Sequence, residues 1–203
     1  MSVPNSVQFV SDKGSKPEVP SRLAQMTAAL TRLKAFRNDR SISISFKIRL
    51  MCSLVTSIFL YACESWTLAA EVKRRIQAME MRCYRKTLRI SYIDHVTTEE
   101  VRAEIHQAIG PHEDLLTIVK RRKLLCYGHV FRSSSLAKTI LQGTVKRGRG
   151  QGRQRKRWED NIRKWTGLEI AKSQRAVENR GKWTKLVAKS SVVFQRPSWS
   201  RDR

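Results

Sequence analysis

The sequence predicts an all-α fold: an irregular multi-helix bundle, then a basic glycine-rich linker, then a small C-terminal pair of helices. Three observations predict it. Apolar residues recur three and four apart over most of residues 21–190, the period of a helix face. Residues that start or stop helices, among them Thr97 with Glu100, Gly110 with Pro111, and Gly167, stand where that period begins or ends. Ile42, Ile44, Phe46 and Ile48 alternate as a strand would, but the alternation runs directly into a helical period.

Residues 1–20 are rich in Ser, Pro, Lys and Gly, hold no period, and read as a disordered tail. Leu23, Met26, Ala29, Leu30 and Leu33 mark an amphipathic helix over about 21–37, with Ser21 as N-cap. Leu50, Leu54, Val55 and Ile58 set a second helix over about 45–61. Its circumference is apolar nearly all round, which makes it the expected central element, with Leu54 buried. Val72, Ile76, Met79 and Cys83 form the packing stripe of a third helix, about 69–88, whose other faces carry Lys73, Arg74, Arg75, Arg82, Arg85, Lys86 and Arg89. Thr97 and Glu100 make a capping box for a short fourth helix that Gly110 and Pro111 end.

Leu115, Ile118, Val119, Leu124 and Leu125 define a fifth helix over about 115–132. Beyond the basic linker, Trp158, Ile162, Trp165 and Leu168 give a small helix stopped by Gly167. Ile170, Val177, Trp183, Leu186 and Val187 give one last helix over about 169–189. The expected organisation is a tail at 1–20, a helical domain at 21–143, a flexible basic linker at 144–157, a helical segment at 158–190 and a tail at 191–203. No repeat with a period of about 20–50 residues runs through the chain.

Charge narrows the function. Forty-one Lys and Arg against seventeen Asp and Glu leave a formal charge of +24 on 203 residues. Self-repulsion on that scale calls for an acidic partner, and nucleic acid (RNA, DNA or an RNA–DNA hybrid) is the expected one. A membrane is not: the longest uncharged apolar run, residues 50–63, falls short of the about 20 residues that span a bilayer. The N-terminus lacks the basic-then-apolar pattern of a secretory signal, so an intracellular, nuclear location is expected. Cys52, Cys63, Cys83 and Cys126 lie far apart, with no Cys-x-x-Cys pair and no histidines at finger spacing. Mostly buried thiols are expected, and no metal site.

The densest cationic stretch is Lys146, Arg147, Arg149, Arg153, Arg155, Lys156 and Arg157, spaced by three glycines and two glutamines with no carboxylate between them. Glycine lets such a run follow a phosphate backbone, so it is the expected dominant polyanion contact. The other reading is a flexible linker that doubles as a nuclear-import signal. Trp158, which follows, either stacks on a base or anchors its helix to the core. Lys120, Arg121, Arg122 and Lys123 form a second cluster, for which phosphate contact and a solvated helix face are equally good accounts. His129 is taken as a structural or phosphate-facing residue, because no candidate nucleophile accompanies it.

Chemistry is not expected. Asp12, Asp39, Asp94, Asp114, Asp160 and Asp202 stand singly, so no aspartate pair is placed to hold two metal ions. The sequence has no phosphate-binding Gly-x-x-x-x-Gly-Lys loop, no Gly-x-Ser-x-Gly elbow and no His-Glu-x-x-His helix. No catalytic residue, cofactor or small-molecule substrate is assigned.

Residues 61–68 (YACESWTL), 80–83 (EMRC) and 90–97 (ISYIDHVT) resemble the segment downstream of the polymerase core in non-LTR (LINE-type) retrotransposon endonuclease-reverse transcriptases. Further motifs follow in the family's order: Lys120 to Leu124 with Gly128, His129, Val130 and Arg132, Gly152-Arg153 with Arg157-Trp158, Ile162, residues 165–168 (WTGL), and Arg180 with Trp183. The likeness covers residues 21–186. It implies a thumb-like helical bundle and a C-terminal tail, which in that family grip template and primer behind a palm domain that carries the catalytic aspartates and magnesium. On that reading the chain is a C-terminal piece without the active site, and no enzyme in itself. Gln154 where the family usually has Pro, Cys126 for Trp, Arg89 for Gly and Asn179 for Asp are departures. A host-adopted basic protein that binds chromatin, RNA or another protein is the alternative with the same helix pattern.

Overall fold

The structure, a computed structural model, describes residues 18–133, 136–142 and 156–192. It is all-helical, as the sequence predicts. The chain packs as two units, Met1–Leu116 and Thr117–Arg203, so the stretch expected as one domain at 21–143 divides within its fifth helix. Of the expected tails at 1–20 and 191–203, residues 18–20 and 191–192 are helical, so Ser21 lies within the first helix and does not cap it. Residues 1–17, 193–203 and 143–155, the last of which hold most of the linker expected at 144–157, lie outside the described residues.

In the first unit, α1 (Glu18–Arg32) is followed by the short α2 (Lys34–Asn38), then α3 (Ile44–Leu60), α4 (Ala70–Leu88) and α5 (Thr98–Ile109). The expected 21–37 helix is thus two helices, separated at Leu33, whose ψ of 12° leaves the helical range. The alternating stretch is helical from Ile44 onward, because Ser43 is extended and its hydroxyl accepts from Phe46 N at 3.4 Å, a side-chain cap. One face of α3, formed by Ile48, Met51, Val55 and Phe59, is 0–2% exposed. Helices α1, α4 and α5 pack around α3, and Trp66 closes one end with its ring edge-on to Phe59 at 5.0 Å.

Leu54 is the correction. It is 47% exposed, one step round the helix from Val55, because the three neighbours cover only part of a helix that is apolar nearly everywhere.

The capping box at Thr97 forms as predicted: Glu100 N donates to Thr97 Oγ1 at 3.2 Å and Thr97 N donates to Glu100 Oε2 at 2.7 Å. Gly110 ends α5 at φ 80°, a region open to glycine. Helix α6 (Leu115–Arg132) starts in the first unit and belongs mostly to the second. There α7 (Leu136–Gln142), α8 (Trp158–Thr166), α9 (Ile170–Glu178) and α10 (Arg180–Val192) follow. The single last helix expected at 169–189 is two, because Asn179 leaves the helix and its Oδ1 accepts from Lys182 N at 3.0 Å, capping α10. Among the described residues no disulfide forms, and Cys63 and Cys83 are buried. No helix among them is long and apolar enough to cross a membrane.

Glu80, on the buried side of α4, is 4% exposed. Its Oε1 accepts from Leu115 N, the first amide of α6, at 2.7 Å and from Tyr84 OH at 3.4 Å, while the phenol oxygen lies 2.7 Å from His112 Nε2. Burial pushes the Glu80 carboxyl up to about 7, against the Leu115 amide that lowers it. A carboxyl that binds its proton more tightly in the fold loses stability as pH rises from its unfolded value toward the folded one. The total loss across that window amounts to about 3 kcal/mol at 1.36 kcal/mol per unit. His112, held low by its own burial, works in the opposite direction. The difference between parent and Glu80→Gln unfolding curves isolates the carboxyl. Urea denaturation from pH 5 to pH 8 should show the parent losing stability relative to Glu80→Gln across that window. Parallel curves would mean that Glu80 is not buried as described.

Candidate nucleic-acid interface

Helix α6 presents Leu116, Val119, Lys120, Lys123, Leu124 and Tyr127 at helical spacing, and all six are buried. Lys120 and Lys123 therefore leave the candidate contact surface, at 1% and 0% exposure. The spacing that makes a core stripe outweighs the charge on the two side chains, whose stems pack as apolar chain. Lys123 Nζ donates to Asn161 Oδ1 at 3.1 Å and lies 4.5 Å from the Trp158 ring centroid and 5.7 Å from that of Trp165. Two aromatic faces and an amide oxygen thus stabilise the ammonium in place of water. Trp158 also lies stacked 6.0 Å from the Tyr127 ring, so it anchors α8 to α6.

The same face of α6 holds α9 and α10. Tyr127 OH lies 2.8 Å from Ser173 Oγ on α9, and Trp183 Nε1 on α10 donates to Leu124 O at 3.0 Å. Trp183 passes so close to Gly128 that a Cβ there would stand 2.4 Å from its Nε1. Gly128 and Trp183, 55 positions apart in the sequence, are one contact.

What faces outward is narrower than expected. Arg122 and His129 are exposed and Arg121 is half-buried. Arg157 is exposed, with its backbone N donating to Asp160 Oδ2 at 2.6 Å. Lys156 is half-buried, and burial lowers its pKa, with Lys164 adding to the effect. Lys146, Arg147, Arg149, Arg153 and Arg155 lie outside the described residues.

The first unit carries a cationic face of its own, seen in the sequence as the flanks of the third helix and not taken there as a site. Arg75, Arg82 and Lys86 follow one side of α4 at spacings of seven and four, and Arg89 continues it. An open groove of 330 Å³ runs beside them, with Leu23 and Thr27 of α1 and Met79 of α4 in its walls and Arg75 and Arg82 at its rim. Glu71 pairs with Arg74 and Arg75 at 2.8 Å, in exposed contacts of small energetic weight.

A common pattern links both units. Asp39, Asp94, Glu100 and Asp160 accept from nearby backbone amides, and Glu80 accepts from Leu115 N. Cations meanwhile bond neutral acceptors. Arg37 Nη1 donates to Lys86 O at 2.8 Å, Lys47 Nζ to the Asp39 carbonyl, Arg85 Nη1 to Val96 O at 2.8 Å, Arg89 Nη2 to Arg37 O at 3.1 Å and Arg132 Nη1 to Val177 O at 3.2 Å. Carbonyls hold these cations without cancelling their charge, so the positive field reaches solvent.

No protein-family model, curated protein or solved structure matches the chain.

The Gly128–Trp183 contact sets the sign of two substitutions. Alanine exceeds glycine in helix propensity by about 1 kcal/mol, so Gly181→Ala in α10, where the new Cβ meets Asn179 Oδ1 at an ordinary 3.5 Å, should stabilise. Gly128→Ala should instead destabilise by about 1–3 kcal/mol, because the buried Trp183 must move. Urea denaturation of both variants tests this; a Gly128→Ala chain more stable than the parent would remove Trp183 from α6.

Proposed function

We propose that this chain is a nucleic-acid-binding helical module of the kind that follows the polymerase core in non-LTR retrotransposon reverse transcriptases. It grips a strand, has no chemistry of its own and works in the nucleus. The observation that carries the reading is the charge pattern: carboxylates bound to backbone amides, cations bound to carbonyls, and a net +24 left for an outside polyanion. A phosphate backbone is the matching partner, since each neutralised phosphate releases condensed counterions. The ordered motifs shared with the retrotransposon enzymes support nucleic acid over other polyanions, and the singly placed aspartates support binding over phosphoryl transfer.

Binding of the purified chain to single-stranded RNA, duplex DNA and an RNA–DNA hybrid over a salt series tests the reading. Four phosphate contacts give a slope of log affinity against log salt of about −3 to −4, with little dependence on sequence. A slope near zero would overturn the proposal. The same preparation should not extend a primed template with magnesium or manganese, and extension by a polymerase-free preparation would refute the absence of chemistry.

A further inference from the structure

The loop between α4 and α5 is stiff at its roots and apolar at its tip. Arg89 ends α4 in left-handed backbone, φ 64°, and Ile90 N donates to Arg85 O at 2.9 Å. At the far root the Arg85 side chain donates to Val96 O, so one arginine ties both ends of the loop. Between them Tyr92–Asp94 form a 3-10 turn. Asp94 N donates to Ser91 O at 3.3 Å, His95 N to Tyr92 O at 3.4 Å, and Ser91 N to Asp94 Oδ2 at 2.6 Å.

On this braced turn Tyr92 is 92% exposed and Ile93 80%. Turn geometry favours Gly, Asn, Asp, Ser or Pro at such an apex and gives no reason for an aromatic beside a β-branched residue. The exposure asks for an occupant, and the surrounding charge selects one. Residues 82–95 bring Arg82, Arg85, Lys86 and Arg89 against a single carboxylate, Asp94, which is turned onto the Ser91 amide. An exposed aromatic ring, with the His95 ring 6.2 Å away and these cations in the same stretch of chain, fits an unpaired base and its phosphates, since every base presents a π-face.

We propose that Tyr92 is a stacking residue for an unpaired base of single-stranded nucleic acid, with Ile93 beside it and Arg89 on the adjoining phosphate. The proposal rests on the nucleic-acid reading above and adds to it a preference for unpaired strand, which phosphate contacts alone do not give. It also places a contact in the first unit, apart from the glycine-rich run.

The test compares the parent chain with Tyr92→Ala, Tyr92→Phe and Ile93→Ala, using a single-stranded oligonucleotide with one fluorescent 2-aminopurine and a closed-hairpin duplex of equal charge. Circular dichroism should show all three variants folded, because both side chains stand in solvent. Tyr92→Ala should bind the single strand roughly 5- to 100-fold more weakly, the loss expected for one base stack. Tyr92→Phe should keep parental affinity, and the hairpin affinity and salt slope should be unchanged, because the phenol carries no charge. If Tyr92→Ala matches a parent that binds the single strand, the tip is no contact, and the nucleic-acid reading survives without it. If the parent binds neither oligonucleotide, both proposals fall. If Tyr92→Ala instead loses binding to anionic phospholipid vesicles or loses self-association, with oligonucleotide affinity intact, the tip serves a lipid or a second copy and the proposal is wrong.

Discussion

The structure depends on how a chain with 24 more cations than carboxylates closes its polar contacts. Pairing every one of the 41 cations with one of the 17 carboxylates is arithmetically impossible. The fold answers by placing carboxylates on exposed backbone amides, where Glu100 and Asp160 hold helix starts, and by holding packed cations with carbonyls and rings. A carboxylate at a helix N-terminus interacts favourably with the amide dipoles there, and a guanidinium on a carbonyl satisfies hydrogen bonds without losing charge. Local structure and long-range field are therefore set by the same bonds. The first stabilises helices, and the second leaves a net positive field around the molecule.

Lys123 shows how far this goes. A lysine at the centre of the second unit lies against two indoles and an amide oxygen, and α6 to α8 packing forms round it. Beside it Gly128 has no side chain so that Trp183 can reach the Leu124 carbonyl. Lys123, Gly128, Trp158, Trp165 and Trp183, far apart in the sequence, thus meet in space as a packing core, which accounts for glycine, lysine and tryptophan at these places by packing alone.

Much of the fold was legible. Helices α3 to α6 lie within one or two residues of their expected ranges, because Thr97, Gly110 and the apolar period mark them independently. The errors have physical causes. Leu54 was expected inside because a helix apolar all round does not reveal which face its neighbours cover. The charge of Lys120 and Lys123 suggests a solvated or phosphate-facing surface, but their spacing with Leu116, Val119 and Tyr127 puts them on the core stripe. Asn179 stops one helix and starts another inside an unbroken apolar period, a capping role that only its side-chain oxygen discloses. Of the site, the cations of α4 could be seen from the sequence, whereas nothing in the sequence pattern singles out Tyr92 and Ile93, whose exposure depends on the turn that holds them in water.

The central claim is that positive charge stays uncompensated in the folded chain, and it is tested most directly by thermal melting in sodium chloride from about 20 mM to 500 mM, over which the Debye length shrinks from roughly 20 Å to 4 Å. Uncompensated charge destabilises the compact state through self-repulsion, so the melting temperature should climb steadily as salt screens it. A melting temperature that stays level or falls across the series would mean that internal ion pairs balance the charge, and would contradict the account.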